Sequence, residues 1–217
     1  EGTDETATAE IYPADPSTSV DGPSSAGDVD GDGIDDLWVA DYRDDEGGTL
    51  AGAVYLYLGP VTGTLTTDDA WAKVTGDADS WLGAQEGWSD MGTNTLSDLD
   101  GDGLADRVTF AYYNSDSDNW SPDLFVVPLP STGTSAVADV ASARVRADPT
   151  SAVQTYSHAI GDIDGDGQLD LAIGGTTEAG LFYGPVTGEI DRATDPDVTF
   201  LPPDPSATLF TSSSSLA

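Results

Sequence analysis

Short apolar runs alternate along this chain with polar segments rich in Asp, Gly, Ser and Thr. Three of these runs are partly β-branched and too short for a typical helix, so their pattern predicts strands. They are LWVA at 37–40, VTFAYY at 108–113 and LAIGG at 171–175. Each is followed by a second apolar run that enters a turn containing Pro or Gly, which predicts a further strand. These second runs lie within 51–63, 124–133 and 179–188.

The same order of segments occurs three times. An acidic nine-residue segment precedes each first run and begins at Asp28, Asp98 or Asp162, at intervals of 70 and 64 residues. A further short strand is predicted at the end of each unit, at 71–74, 143–147 and 197–202. With the strand that leads into the acidic segment, this makes four strands per repeat, as in the antiparallel blades of a β-propeller. We therefore predict an all-β chain of propeller-type blades, because a plain β-sandwich does not explain the period.

Both ends of the chain resemble parts of a repeat. Residues 7–19 resemble 197–209, and residues 204–217 resemble 148–160. The predicted units are the last strand of a preceding blade (1–19), three blades (20–80, 81–148 and 149–203) and the first strand of a following blade (204–217).

Three repeats with partial blades at both ends do not close a propeller, which usually has roughly 4 to 8 blades. Two possibilities stay open. The chain is a segment of a longer repeat protein, or copies of it associate through exposed end strands, which are templates for pairing. We expect the first, and the start at Glu1 without a signal peptide also suggests a processed or excised piece.

Charge narrows the possible partners. The 217 residues include 40 acidic and 6 basic side chains, which gives a formal net charge of -34. We predict no nucleic-acid partner, because such binding needs clustered Lys or Arg. The absence of Cys excludes disulfides and thiolate metal sites. No stretch approaches the ~18 consecutive apolar residues of a membrane span. The acidity is explained by solubility, by cation binding or by both.

The acidic segments share the pattern D-x-D-G-D-G-x-x-D, which predicts Ca²⁺ binding by about three ions, one per repeat. Ca²⁺ takes about 6 to 8 oxygen ligands, and alternating Asp side chains on a tightly turned backbone supply most of them. The glycines allow the turn, and the ion removes the repulsion between the carboxylates. The predicted ligands are the side chains at positions 1, 3, 5 and 9 and the carbonyl at position 7: Asp28, Asp30, Asp32, Ile34, Asp36, Asp98, Asp100, Asp102, Leu104, Asp106, Asp162, Asp164, Asp166, Gln168 and Asp170.

These segments match an EF-hand or a Mg²⁺ site less well. An EF-hand loop has 12 residues and ends in a bidentate Glu, whereas the twelfth positions here are Val39, Thr109 and Ile173. Mg²⁺ prefers fewer protein ligands and stricter octahedral geometry. Acidic surface turns without an ion are the remaining alternative, and three matching copies disfavour it.

The segments GDVDGDGIDDLWVA, SDLDGDGLADRVTF and GDIDGDGQLDLAIGG, with the GPVTG-type turns that follow, resemble FG-GAP repeats. Such repeats form the blades of integrin alpha-subunit propellers and occur in many bacterial surface proteins. The resemblance implies Ca²⁺ at the edge of each blade and a role in adhesion or protein interaction. The second repeat departs most, with NSDSDNWSPD at 114–123 and VVPLP in place of the GPVTG turn.

No residue pattern indicates catalysis. His158 is the only histidine, no G-x-S-x-G stands between a strand and a helix, and no Gly-rich loop is followed by Lys. We predict a non-enzymatic module, extracellular or at the cell surface, for adhesion, scaffolding or protein–protein interaction with a protein or carbohydrate partner. The alternatives are a self-assembling subunit of an extracellular fibre or sheath and part of a polysaccharide-acting hydrolase or lyase. Tyr112, Tyr113 and Trp120 are the first candidates for partner contact.

Overall fold

The computed structural model describes residues 9–84, 97–112, 122–129, 132–146, 155–175 and 178–202. Its elements are almost all strands, which confirms the all-β prediction. The strands are β1 (Ala9–Tyr12), β2 (Asp21–Gly27), β3 (Asp36–Asp41), β4 (Ala53–Tyr57), β5 (Gly63–Thr66), β6 (Ala72–Thr75), β7 (Arg107–Ala111), β8 (Asp123–Val127), β9 (Gly133–Ala136), β10 (Ala143–Arg146), β11 (Thr155–Gly161), β12 (Asp170–Gly175), β13 (Ala179–Phe182), β14 (Gly188–Asp191) and β15 (Val198–Phe200). A 3-10 turn (Thr67–Asp69) and a one-turn helix α1 (Val137–Val140) complete the described elements. The strand predicted to lead into the second acidic segment lies mainly outside the described residues, and the unit predicted at 204–217 lies wholly outside them.

The order of strands in the sheets follows the sequence repeat. The first repeat contributes the antiparallel order β2-β3-β4-β6, and the third contributes β11-β12-β13-β15. The second contributes β7-β8-β10. Each acidic loop therefore leads directly into the corresponding strand β3, β7 or β12. None of the sheets in the described ranges closes on itself, and the propeller arrangement stays a prediction.

One further short strand of each repeat crosses to the preceding sheet, where the sequence predicted only a turn. β5 pairs in parallel with β1, β9 with β6, and β14 with β10. Each crossing strand starts with a glycine in the left-handed region, with φ of 77° at Gly63, 98° at Gly133 and 78° at Gly188. This glycine allows the chain to leave its own hairpin. Each repeat is therefore hydrogen-bonded to the last strand of the unit that precedes it.

Apolar clusters between the sheets hold neighbouring repeats together. One cluster joins Trp38 of the first repeat to Phe125 of the second. Another joins Phe110 of the second repeat to Leu171 and Phe182 of the third. All five side chains are at most 3% exposed, and burial of one such side chain stabilises the fold by about 1.5–3 kcal/mol. The strands β3, β7 and β12, which follow the acidic loops, therefore contribute to a packed apolar core.

Candidate metal centres

Each acidic loop gathers three carboxylates around a common point. We call residues 28–36 loop 1, residues 98–106 loop 2 and residues 162–170 loop 3. In each loop, oxygens from three residues lie within 4.8 Å of one another. The groups are Asp28, Asp30 and Asp32; Asp98, Asp100 and Asp106; and Asp162, Asp164 and Asp170. Oxygens that contact one Ca²⁺ at about 2.3–2.6 Å lie at most about 5 Å apart, so each group can hold a metal ion.

The same hydrogen bonds shape all three loops. In loop 1 the N–H groups of Asp32 and Ile34 donate to the Oδ1 atoms of Asp30 and Asp32, at 3.0 and 2.8 Å. The N–H of Gly33 donates to Oδ2 of Asp28 at 2.8 Å. The corresponding bonds in loops 2 and 3 span 2.7–3.1 Å. Each carboxylate uses only part of its capacity as an acceptor, so these loops are held in shape and still offer oxygens to a cation.

Position 9 connects loops 1 and 3 to the turn after the following hairpin. Oδ2 of Asp36 accepts from the N–H of Val29 at 2.7 Å, and Oδ1 accepts from the N–H of Gly59 at 2.6 Å. In loop 3, Oδ2 of Asp170 accepts from the N–H of the second loop residue at 2.7 Å, and Oδ1 from that of Gly184 at 2.9 Å. Each of these carboxylates therefore fastens its loop to a turn more than ten residues away.

The two glycines of this contact lie too close to the loop for a side chain. A Cβ on Gly59 would lie 2.7 Å from the carbonyl oxygen of Asp35, and one on Gly184 would lie 2.4 Å from that of Leu169. Both glycines open the GPVTG turn, which the sequence pattern alone did not connect with the metal site. The recurrence of this turn after two of the three loops is the signal that could have revealed it.

Loop 2 lacks this glycine, because Leu129 stands at the corresponding position in VVPLP. No N–H of the described residues donates to Oδ1 of Asp106, which is buried. Oδ1 of Asp98 is also buried and has no donor in the same ranges. A buried carboxylate oxygen without a donor is costly, and a cation bound to such an oxygen would remove that cost. The carboxylate oxygens of loop 2 therefore suit a hard cation as ligands.

Burial also changes the acidity of Asp106, which is 0% exposed. Burial raises the pKa of Asp106 to about 6, and the charges of Asp100 and Asp102 act in the same direction. The N–H groups of Leu99 and Asp100, 2.8 and 3.0 Å from Oδ2, oppose the shift. The protein alone therefore stabilises the ionised form of this carboxyl poorly.

The remaining predicted ligands belong to the same loops but not to the three clusters. Asp36 fastens loop 1 to its turn, and Asp102 and Asp166 accept the N–H of position 7 in loops 2 and 3. The residues at position 7 are exposed, and ligation by their carbonyl oxygens stays a prediction. This set is Asp36, Asp102, Asp166, Ile34, Leu104 and Gln168.

The aromatic candidates for partner contact are not at the described surface. Tyr112 is 8% exposed and belongs to the cluster between the second and third repeats, so the expectation that it contacts a partner was wrong. Tyr113 and Trp120 lie outside the described residues. His158 packs its ring against Phe110, with 5.6 Å between the centroids, which places it beside the core.

An acidic cavity beside β6 was not predicted from the sequence. Its lining includes Asp41, Asp44, Glu46 and Lys73. Nζ of Lys73 lies 2.7 Å from Asp44 and 2.6 Å from Glu46, and the hydroxyl of Tyr55 donates to Asp44 at 2.6 Å. The ion pairs of Lys73 thus satisfy two of these carboxylates within the protein, and the cavity is a salt-bridged support of the sheet.

No family model matches this chain, and no curated protein matches it. The resemblance to FG-GAP repeats therefore rests on the loops and turns of the sequence and stays a hypothesis. Within the described ranges, no helix has the length and apolarity needed to cross a membrane.

Proposed function

We propose that this chain is a non-enzymatic, Ca²⁺-stabilised extracellular repeat module that serves adhesion, scaffolding or protein–protein interaction. The observation that carries the proposal is the presence of three carboxylate clusters, each within 4.8 Å, at equivalent places of three repeats. Under this proposal the sheets are propeller-type blades of the FG-GAP kind. The partner is a protein or a carbohydrate at a cell surface.

The chemistry of the clusters favours Ca²⁺. Carboxylate oxygens suit hard cations rather than softer transition metals. Ca²⁺ accepts about 6 to 8 oxygens in flexible geometry, whereas Mg²⁺ keeps several waters and uses one or two carboxylates. Loops with four aspartates therefore suit Ca²⁺ better. Extracellular modules bind Ca²⁺ with Kd of roughly 10⁻⁴ to 10⁻³ M, and this is the affinity expected of these loops if the module lies outside the cell.

The ion would act on the fold through the loops. Each Ca²⁺ brings two positive charges to four neighbouring aspartates in a chain of net charge -34, and so removes their mutual repulsion. A fixed loop also fixes the strands on either side of it. In loops 1 and 3 the effect reaches the next turn through Gly59 and Gly184. A rigid edge of loops and turns is a suitable surface for a partner.

Ca²⁺ should raise the melting temperature, because an ion that binds only the folded loops stabilises the protein by RT ln(1 + [Ca²⁺]/Kd) per site. At ten times Kd this amounts to about 1.4 kcal/mol for each site. Differential scanning calorimetry in about 10 mM CaCl₂, in the same concentration of MgCl₂ and in excess EGTA measures the shift at concentrations above the expected Kd.

A matched pair of variants tests whether the loops cause the shift. Replacing Asp30, Asp100 and Asp164 together by Asn removes one carboxylate from each cluster and should abolish most of the Ca²⁺ effect. Asp35→Asn changes an exposed neighbour outside the cluster and should retain it. Equal melting temperatures in CaCl₂ and EGTA would contradict the proposal, and an equal shift with MgCl₂ would contradict the choice of Ca²⁺.

A second candidate function is self-assembly, and the exposed end of the third sheet favours it. Among the described strands, β15 lies at the edge of its sheet. Its third residue, Phe200, is 51% exposed and the next residue, Leu201, is 68% exposed. Val74 and Val145 hold the third positions of β6 and β10, which pair with the crossing strands β9 and β14, and are 0% and 2% exposed. A crossing strand like β5, supplied by a second copy of this chain, would pair with β15 in the same way and reduce the exposure of Phe200.

A further inference from the structure

We propose that loop 2 is the tightest of the three cation sites and that Asp106, left free by Leu129, is the ligand that distinguishes it. This inference rests on the proposed function, because it assumes that the acidic loops bind cations. It ranks the three sites, which share one sequence pattern and are indistinguishable from that pattern alone.

Position 9 offers a cation a different oxygen in loop 2 than in loops 1 and 3. In loops 1 and 3, Oδ1 of the aspartate accepts an N–H from Gly59 or Gly184, at 2.6 and 2.9 Å. A cation at this oxygen competes with that donor. In loop 2, Oδ1 of Asp106 has no donor among the described residues and is buried. A cation there gains an anionic ligand without weakening a hydrogen bond, and it removes the cost of a buried, unsatisfied carboxylate oxygen.

Leu129 leaves this oxygen free because its Cβ keeps the turn away from loop 2. A Cβ at Gly59 or Gly184 would collide with the carbonyl oxygen of loop position 8, at 2.7 or 2.4 Å. Leucine carries such a Cβ, so Leu129 cannot bring its N–H as close to loop 2 as the glycines do to theirs. Its side chain packs instead against the apolar cluster shared by the first and second repeats. The substitution of one residue type thus converts a fastening carboxylate into an available ligand.

The environment of loop 2 also differs from that of the other two loops. All three aspartates of the loop 1 cluster are exposed, whereas Asp98 and Asp100 are half-buried and Asp106 is buried. Leu99, the second residue of loop 2, is 1% exposed, and its carbonyl accepts the N–H of Val186 at 2.8 Å. The second residue of loop 3 is 53% exposed. Loop 2 is therefore less screened by solvent and is held by a backbone hydrogen bond to the third repeat, and both properties favour tight cation binding.

Isothermal titration calorimetry of the whole chain with CaCl₂ tests the ranking. The wild-type protein should show one site at least about tenfold tighter than the other two, because ligand availability and rigidity set the affinity of such sites. Asp106→Asn should remove the tight component. Asp36→Asn and Asp170→Asn alter the same position in loops 1 and 3, and both should leave it in place.

A second pair of variants tests the role of Leu129 without altering any carboxylate. Leu129→Gly removes the Cβ, allows the turn to approach Asp106, and should weaken the tight site by about tenfold, the lower end of the effect expected for outer-shell changes. Leu129→Ala keeps the Cβ and should retain the tight site. Both variants lose the leucine packing, so their comparison separates binding from stability, and circular dichroism verifies that both are folded.

The outcomes distinguish this inference from the proposed function. Three equal affinities would overturn the inference and leave Ca²⁺ binding intact. So would a tight component that persists in folded Asp106→Asn. If that variant does not fold, equal affinities in Leu129→Gly and Leu129→Ala decide against the inference. A wild-type protein that takes up no Ca²⁺ in equilibrium dialysis would overturn the proposed function itself.

Discussion

Gly59 shows how a single residue connects two parts of this protein that are distant in sequence. Its N–H donates to Asp36, 23 residues earlier, at 2.6 Å. The backbone comes so close to loop 1 that an added Cβ would lie 2.7 Å from both the carbonyl oxygen of Asp35 and Cγ2 of Ile34. At the scale of residues, the absence of a side chain is therefore what joins the acidic loop to the turn.

Gly59→Ala should lower the free energy of unfolding by about 1–3 kcal/mol, the range for inserting an atom into a packed site. The new Cβ would displace the loop and weaken the bond to Asp36. Gly161→Ala is the matched control, because nothing lies within 4 Å of a Cβ at that position. Urea unfolding in the presence of CaCl₂ compares the two, and equal stabilities would show that the close approach does not exist.

At the scale of elements, β3 ends in a charged residue that the fold buries. Asp41 is the last residue of β3 and is 2% exposed. Burial raises the pKa of Asp41, the side chain of Thr18 and the N–H of Arg43 oppose the shift, and the charges of Asp44 and Asp21 add to it. The packing of this strand therefore disfavours the ionised form.

Asp41→Asn should stabilise the protein at neutral pH. A carboxyl whose pKa is higher in the folded than in the unfolded state favours folding fully only when the pH is below its pKa in the unfolded state, about 3.9. This contribution to stability is lost as the pH rises through the pKa of the folded state. Asparagine keeps an acceptor for the N–H of Arg43, 3.0 Å away in the wild type, and does not ionise. The difference in unfolding free energy between variant and wild type should therefore grow with pH.

Urea unfolding across a pH series measures this difference, with the exposed neighbour Asp45 as the control position. Asp45→Asn should show no comparable dependence on pH. A difference for Asp41→Asn that stays constant with pH, or a variant less stable than the wild type at neutral pH, would contradict the role of burial.

At the scale of the whole molecule, the crossing strands make each repeat depend on its neighbour. β1, β6 and β10 each pair in parallel with a strand from the following repeat. β15 is the corresponding strand of the third repeat and pairs only with β13 among the described strands. The segment AEIYPADPS that contains β1 resembles VTFLPPDPS, which contains β15. Under the self-assembly hypothesis, β15 of one copy pairs in parallel with β5 of a second copy. It takes the place that β1 of the second copy occupies in the single chain.

If copies associate in this way, sedimentation velocity should show assemblies that grow with protein concentration in CaCl₂. They should weaken in EGTA, because two chains of net charge -34 repel each other. Replacing Phe200 and Leu201 together by Thr should abolish assembly, while Tyr183→Thr, at an aromatic residue that is 39% exposed and lies outside the edge strand, should not. A monomer at every concentration would exclude the second candidate function, and assemblies of the double variant would exclude this edge.

The prediction of strands succeeded where the pattern was local and apolar. The runs LWVA and LAIGG form β3 and β12 in the predicted order, because short β-branched segments between turn residues have few other ways to bury their side chains. The polar segments GTLT, GTSA and GEID gave no comparable indication of a strand. They become β5, β9 and β14 only because an edge of the preceding sheet lies beside them.

The sequence by itself determined the three acidic loops and the all-β class. Both depend on residues within a few positions of one another, so the spacing of Asp and Gly fixes the turn and the apolar runs indicate the strands. Only the tertiary structure decided which carboxylates meet, which oxygens find donors and which repeat covers which strand. Asp36 accepts a hydrogen bond from Gly59, whereas Asp106, in the repeat whose turn carries Leu129, has one oxygen without a donor among the described residues. Such contacts depend on how separate sheets pack, because a hydrogen bond between distant residues forms only where packing brings them together.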